Sequence, residues 1–133
     1  MNKSQFIKII KLLLVKVGVL NMVNSIINYP YNSLGVARID ADGVVHNHMY
    51  HQCPVGRVDT NNIVHNDPVN NSPVGRVDDD GTIHNHPVND YPVGRVDSDG
   101  YVYNSKNVKI GRVEGENYLQ AGSAFLLLID EIR

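Results

Sequence analysis

Cysteine is almost missing from this chain: Cys53 stands alone among 133 residues. No intrachain disulfide can form, so packing and hydrogen bonds must hold the fold. A reducing compartment, the cytoplasm, is the simpler expectation. Long uncharged apolar runs are missing as well. The most apolar stretch, "FIKIIKLLLVKVGVLNMVNSII", is interrupted by Lys8, Lys11 and Lys16. It holds no segment that meets the roughly 18-residue requirement of a transmembrane helix. Residues Val17 to Ile27 come closest to the apolar centre of a secretory signal, but Asn21 and Asn24 interrupt them, and no signal is expected. Membrane association or export is the alternative. An excess of positive charge is also lacking, with a net charge of −2. Residues 34–118 carry seven basic and twelve acidic residues, which repels phosphates and argues against a nucleic-acid partner. There is no phosphate-cradling glycine loop.

What the chain does have is a repeat. The segments "VARIDADGVVHNH", "VGRVDTNNIVHND", "VGRVDDDGTIHNH", "VGRVDSDGYVYNS" and "IGRVEGENYLQAG" copy one another. Their arginines, Arg38, Arg57, Arg76, Arg95 and Arg112, lie 19, 19, 19 and 17 residues apart. A fixed period of this kind marks a repeat architecture.

Each unit reads as a β-hairpin. In the third, "PVGRVD" is one strand and "TIHN" the next, joined through Asp79-Asp80-Gly81. The last loop position needs positive φ, and it is occupied by Gly43, Asn62, Gly81, Gly100 and Asn117, the residue types that tolerate this conformation. That alternation indicates a turn; a calcium loop would need more oxygen ligands in a longer frame. Pairing through the loop sets Val77 opposite Ile83, with equivalents Ile39/Val45, Val58/Val64, Val96/Val102 and Val113/Leu119. All ten are apolar and form the expected core. Burying one such pair stabilises by roughly 3–5 kcal/mol before ordering costs, so one hairpin gains little and five sharing a core can fold. A small-residue column, Ala37, Gly56, Gly75, Gly94 and Gly111, lies on the same face and would let backbones converge about an axis. Its expected cross-strand partners are Asn47, Asn66, Asn85, Asn104 and Ala121. The opposite face, with Arg, Asp and His, reads as solvated.

Two flanks complete the plan. Residues 1–33 form a basic arm, with four lysines and no acid, ahead of the repeat domain over residues 34–133. Phe6, Ile9, Ile10, Leu13, Val17, Leu20 and Ile27 follow helical spacing, with Ser4 as a cap. A helix packed on the body or on another copy is expected, so self-association or a protein partner is assigned to residues 4–28. Peripheral membrane contact is the alternative. Translation starting at Met22 would make the first 21 residues dispensable. At the other flank, Ala124 to Ile129 within "AGSAFLLLID" reads as a fully buried strand that plugs the body.

Repeated "GRVD-x-DG-x-(V/I)-x-N" hairpins followed by the small-and-apolar "AGSAFLLL" resemble the bacterial β-flower repeat proteins, over about residues 34–129. The count of five units matches the five-fold form. The resemblance implies hairpins radiating like petals about a pseudo-symmetry axis. It implies no biochemical activity, and the histidines and the basic arm have no counterpart in it. The expected fold class is therefore mainly β: five hairpins of about 19 residues around an axis, with an N-terminal helix and a C-terminal buried strand.

Chemistry is sparse. The adjacent letters His84-Asn85-His86 lack the separated ββα context of a nuclease. Cys53 near His51 has no base-and-orienter set for nucleophilic catalysis. The strongest candidate is a metal site. The repeat stacks one column of His46, His65, His84, Tyr103 and Gln120, and a second of His48, Asp67, His86, Ser105 and Gly122. If the units converge, His48, Asp67 and His86 supply two imidazoles and a carboxylate, which suits zinc or iron and a metal-dependent hydrolase. Tyr29, Tyr31, Tyr50 and Tyr91 fall in loops, where packing is expected and a binding rim is the alternative. The leading expectation is a non-enzymatic structural or interaction module without a cofactor, and metal binding is the second.

Overall fold

The computed structural model describes residues 23–132. Ten short strands follow one another: β1 (Asn24–Ile27), β2 (Gly35–Ile39), β3 (Val44–His46), β4 (Pro54–Val58) and β5 (Ile63–His65), then β6 (Pro73–Val77), β7 (Thr82–His84), β8 (Pro92–Val96), β9 (Tyr101–Asn104) and β10 (Lys109–Glu114). Each pairs antiparallel with its sequence neighbours, and β1 pairs with both β2 and β10, closing the sheet into a barrel. Closure removes the exposed edges that would invite aggregation. It also puts all the tight turns at one end and all the longer inter-hairpin loops at the other.

The hairpin register is the expected one. Ile39 pairs with Val45, Val58 with Val64, Val77 with Ile83 and Val96 with Val102. All eight side chains are buried inside the barrel. Gly43, Gly81 and Gly100 take φ of 88°, 92° and 87°, and Asn62 takes 63°, as the three-residue turns require. Each of these turns is pressed by the next unit: the carbonyl of Gly81, for instance, accepts the N–H of Val96 at 2.9 Å. Gly94 faces Asn104, whereas Asn47, Asn66 and Asn85 are exposed at the loop entrances. There their N–H groups bond the carbonyls of Cys53, Ser72 and Tyr91.

The fifth hairpin departs from expectation. Val113 pairs with Ile26 of β1, not with Leu119. Asn117 is not a positive-φ turn residue; at φ −98° it precedes helix α1 (Tyr118–Ala124). The second strand of the last unit is thus supplied from the front of the chain. Ile26 occupies the place of Val45, as its pairing with Ala37 parallels that of Val45 with Gly56. The signal is present in the sequence: "NSIINYPYNS" (24–33) matches "GTIHNHPVND" (81–90) at Ile, Asn, Pro and Asn. The expected helix over residues 4–28 therefore ends differently, with Asn24–Ile27 as a strand of the barrel. The remainder of that expectation lies outside the described residues.

The C-terminal apolar run does plug the body, as a helix and not as a strand. No strand edge is left for it to join, so its backbone must satisfy its own hydrogen bonds. Helix α1 continues into a π-helical turn, Phe125–Ile129, and a 3₁₀ turn, Asp130–Ile132. About eight strands already fill a barrel with side chains, so ten leave a lumen that must be occupied. The glycine column makes room for the occupant. A Cβ on Gly94, Gly75 or Gly56 would lie 2.6–2.7 Å from Leu126, Leu127 and Leu128 respectively, and one on Gly111 would collide with Phe125. Four consecutive residues thus face four consecutive units. An α-helix turns about 100° per residue, whereas five units stand about 72° apart, so a wider winding matches the barrel better. Gln120 marks the turn end of the plug, where its Nε2 donates to Asn62 Oδ1 at 3.0 Å. The chain then descends past the glycine column toward the loop end.

Overpacking at this contact has no side-chain escape, because the Cβ of a Gly75 variant also meets the His84 carbonyl. Gly75→Ala is expected to destabilise by about 1–3 kcal/mol. Ile26→Ala, which hollows the closing strand, is expected to cost about 2–5 kcal/mol. Urea titrations followed by circular dichroism check both, with Val69→Ala, at an 81% exposed loop tip, as a control expected to change little.

Candidate functional site

The outer face of the barrel is only partly solvated: Arg95 and Lys109 are exposed, but the strand histidines are covered. His46, His65 and His84 are only 2–4% exposed, and Arg38 is 7% exposed. In the third unit, Asp78 accepts from Arg76 Nε at 2.9 Å and from His84 Nε2 at 2.8 Å. In the first, Asp40 meets Arg38 Nε at 2.8 Å and His46 Nε2 at 3.2 Å. In the second, Asp59 accepts from His65 Nε2 at 2.9 Å and from the backbone N–H groups of Asn61 and Ile63. A bulge at Val45/His46, Val64/His65 and Ile83/His84 sets each ring over its aspartate. The fourth unit keeps the contact with different chemistry: Tyr103 Oη donates to Asp97 at 3.2 Å, and Arg95 stacks 3.8 Å above the Tyr103 ring. In the fifth, Ile27 takes the histidine place, and Arg112 pairs with Glu114.

These His–Asp pairs look like catalytic dyads but lack a free basic nitrogen where both partners are in place. His46 Nδ1 accepts the N–H of Cys53 at 3.0 Å, and His65 Nδ1 accepts that of Ser72 at 3.0 Å. A nitrogen that accepts carries no proton, so Nε2–H is the donor to aspartate. Both ring nitrogens thus hold the protein together, and neither reaches a substrate. His84 Nδ1 is buried with no partner among the described residues.

The three candidate metal ligands sit in three separate loops, each capping its own. His48 Nδ1 accepts the N–H groups of Tyr50 and His51, both at 2.9 Å. Asp67 Oδ1 accepts those of Val69 and Asn70 at 2.8 and 2.7 Å. His86 Nδ1 accepts those of Val88 and Asn89 at 3.0 and 2.8 Å. Among the described residues, no group of three or more His, Cys, Asp or Glu side chains is placed to hold a metal. The arginines complete the loops from beneath: Arg38 Nη1 donates to the His48 and His51 carbonyls, and Arg76 Nη1 to those of His86 and Asn89.

Electrostatics follow these contacts. Burial works against the charge of Asp59, but the hydrogen bonds from His65 and from the Ile63 and Asn61 N–H groups outweigh it and hold its carboxyl below the usual range. Burial is likewise outweighed at Asp78, by Arg76 and then His84. The Asn70 and Val69 N–H groups lower Asp67. The turn segments 40–43, 59–62, 78–81, 97–100 and 114–117 gather ten carboxylates and no base at one end.

The loop end carries a feature that the reading of Tyr31, Tyr50 and Tyr91 as loop residues caught only in part, since it left out Val69 and Val88. Tyr31, Tyr50, Val69 and Val88 stand 19 residues apart, one per loop, and are 79, 82, 81 and 77% exposed. A second register, four residues before each arginine, exposes Leu34, Tyr91 and Val108. Among the described residues the only other exposed large apolar side chain is Ile132, at the end of the plug. Of the four loop tyrosines, Tyr29 packs edge-on against Tyr101 at 6.0 Å, Tyr50 edge-on against His48 at 6.4 Å, and Tyr91 against His86 at 5.9 Å. The signal was the 19-residue period itself, extended from strands into loops. A surface cleft of about 410 Å³ between β1 and β2 is lined by Val23, Ser25, Arg38, Asp40, Met49 and Tyr50.

Compared with known protein families, curated proteins and solved structures, the chain matches none. No helix among the described residues is long and apolar enough to cross a membrane.

Carboxyls held low stabilise the fold above their unfolded pKa of about 3.9, and that contribution fades as pH falls through the folded values. Urea midpoints are therefore expected to drop between pH 5 and pH 3. The Asp59→Asn/Asp78→Asn double variant is expected to be less stable at pH 7 and to show a shallower acid drop than the parent.

Proposed function

We propose that this chain is a non-enzymatic repeat module of the five-fold β-flower type, acting as a structural scaffold that presents its loop end to a protein partner or to its own copy. One observation carries the reading. The repeated polar side chains are engaged within their own units, while the loop tips between them present a register-matched set of exposed apolar residues. Large exposed apolar groups gathered in one region mark interaction sites more often than scattered ones do. The same reading puts the chain in the cytoplasm, supported by its single cysteine, Cys53. The basic segment over residues 4–28 is a second route to self-association. Of that segment, Asn24–Ile27 is strand β1 of the barrel, and residues 4–22 lie outside the described residues.

Elemental analysis of protein purified without chelator tests the reading against metal binding. The expected result is no stoichiometric zinc or iron, with His48→Ala/His86→Ala folded and destabilised by about 1–2 kcal/mol through lost loop caps. Stoichiometric metal that this double variant loses would overturn the module reading in favour of a metal site at His48, Asp67 and His86.

A further inference from the structure

We propose that the outer wall of the fourth unit holds a binding site for a tetrahedral oxyanion, such as a phosphate group, with Arg95 as its cation. A surface cleft of about 240 Å³ lies there, lined by Thr82, Gly94, Arg95, Asn104, Ser105 and Asn107 and by no carboxylate. Arg95 is the one repeat arginine left without an anion. Arg38 pairs with Asp40, Arg76 with Asp78 and Asp90, and Arg112 with Glu114. Arg57 favours the charge of nearby Asp67. Arg95 has no salt bridge among the described residues. Two local changes cause this. Tyr103 stands where three other units have histidine, and its hydroxyl shares Asp97 with the N–H groups of Asp99 and Tyr101. The Arg95 guanidinium stacks on the Tyr103 ring instead. The loop that follows is also shorter, as the 17-residue spacing to Arg112 requires, and the Asn107 N–H bonds the Asn104 carbonyl at 3.0 Å. Arg95 therefore meets the Asn107 side chain where Arg38 and Arg76 meet loop carbonyls.

Hydrogen bonding decides what kind of ligand fits. Arg95 Nε and Nη2 donate to Asn107 Oδ1 at 3.2 and 2.9 Å. Asn104 Oδ1 accepts the N–H groups of Lys106 and Val108 at 2.9 and 3.1 Å. Both carboxamide oxygens are thus filled from within the protein, which fixes the amide orientations and leaves their NH₂ groups over. Those two groups, Arg95 Nη1 and the Ser105 hydroxyl have no partner among the described residues. Guanidinium and amide NH₂ groups only donate, so the ligand must accept. A sugar hydroxyl also needs an acceptor, whereas an oxyanion accepts at every oxygen and makes the stronger, charge-assisted bond to arginine. Thr82 is not counted among the donors, because it is engaged with Asp80.

The local field has the right sign although the chain as a whole carries −2. From Gly100 to Val113 the chain has Lys106, Lys109 and Arg112 and no acid. Lys109 Nζ lies 3.8 Å from the Tyr101 ring centre and 5.8 Å from that of Tyr103, so Lys109 and Arg95 flank one ring. Surface charges are largely screened beyond about 8 Å at physiological salt, so this set counts for more than the total. A long polyanion would still meet the acidic body, but a single tetrahedral group does not. The cleft is smaller than the roughly 300–1,000 Å³ of pockets for drug-sized ligands, which suits such a group.

Titration of the full chain with inorganic phosphate at constant ionic strength, followed by NMR shifts of the side-chain N–H groups, tests the site. Saturable shifts are expected at Arg95 Nε–H and at the Asn104 and Asn107 amides, with sulfate competing and chloride producing none. Arg95→Gln is expected to weaken phosphate about tenfold or more, and Ser105→Ala to weaken it less. Arg57→Gln, in the second unit, is expected to leave the affinity unchanged. The dispersion of each spectrum shows that the variant is folded. Absence of saturable shifts at these groups overturns the site, and so does parental affinity in Arg95→Gln. An equal loss in Arg57→Gln also overturns it, since that would mark a diffuse response to charge. Glycerol phosphate in place of the free ion distinguishes the source. Tighter binding than inorganic phosphate assigns the cleft to a phosphoryl group carried on a small molecule, and equal or weaker binding assigns it to the free ion; either supports the site.

Discussion

Everything in this fold depends on closing and filling a ring that is slightly too wide for its own side chains. A hairpin of three- and five-residue strands buries one apolar pair and cannot stand alone. Five of them share a core only if the last finds a partner and the axis is occupied. The chain meets the first condition with β1, which completes the fifth unit from the opposite terminus, Ile26 against Val113. It meets the second with the C-terminal helix, admitted by a column of residues without side chains. The glycines of that column are fixed by what they touch: the plug on one side and a neighbouring carbonyl on the other. Both termini of the barrel are therefore structural, and cooperativity is imposed on units that would otherwise be interchangeable.

The polar side chains explain why the units do not slip. A one-residue slip would exchange the buried and outer faces of a strand. Here the outer face is also specified, because a histidine out of place would bury an unpaired ring and leave an aspartate without its donors. An isolated buried ion pair is weak evidence for stability. These groups gain from being anchored at each edge: aspartate to the turn N–H groups, and histidine, in two of the units, to the loop N–H. The arginine then ties the turn-side carboxylate to the loop-side carbonyls, so one side chain spans the height of the unit. Tyr103 shows that the requirement is for a donor at that position, since a phenol serves in place of an imidazole.

The repeat, four of the five turn residues and nine of the ten core positions were legible in the sequence because each obeys a local rule repeated at a fixed interval. What escaped did so for physical reasons. Asn24–Ile27 follows the lysine-rich segment and shares its apolar character, so helical spacing absorbed a strand whose identity depends on closure against Arg112–Glu114, far along the chain. "SAFLLLI" is apolar enough for a buried strand or a buried helix, and composition cannot separate the two. Only the closed sheet decides, because it leaves no edge to pair. Histidine 48, Asp67 and His86 looked like ligands because a loop cap and a metal site both want a side-chain lone pair at a set position. The backbone N–H groups, invisible in sequence, are what they bind.

The division of labour between the ends follows from the same geometry. In a closed meander every tight turn falls at one end, and turn chemistry there favours aspartate, asparagine and glycine. Repetition multiplies that local preference into an acidic pole. The loops at the other end are longer, and four of the five are held by a side-chain cap and by an arginine. Their tips are therefore fixed in position without being buried. A side chain fixed in place and left exposed loses little further entropy when something packs on it. Four such tips, Tyr31, Tyr50, Val69 and Val88, recur in one register, in contrast to the like-charged pole opposite. The repeat that builds the barrel thus also makes its two ends unequal, and that inequality gives an otherwise symmetrical body a direction.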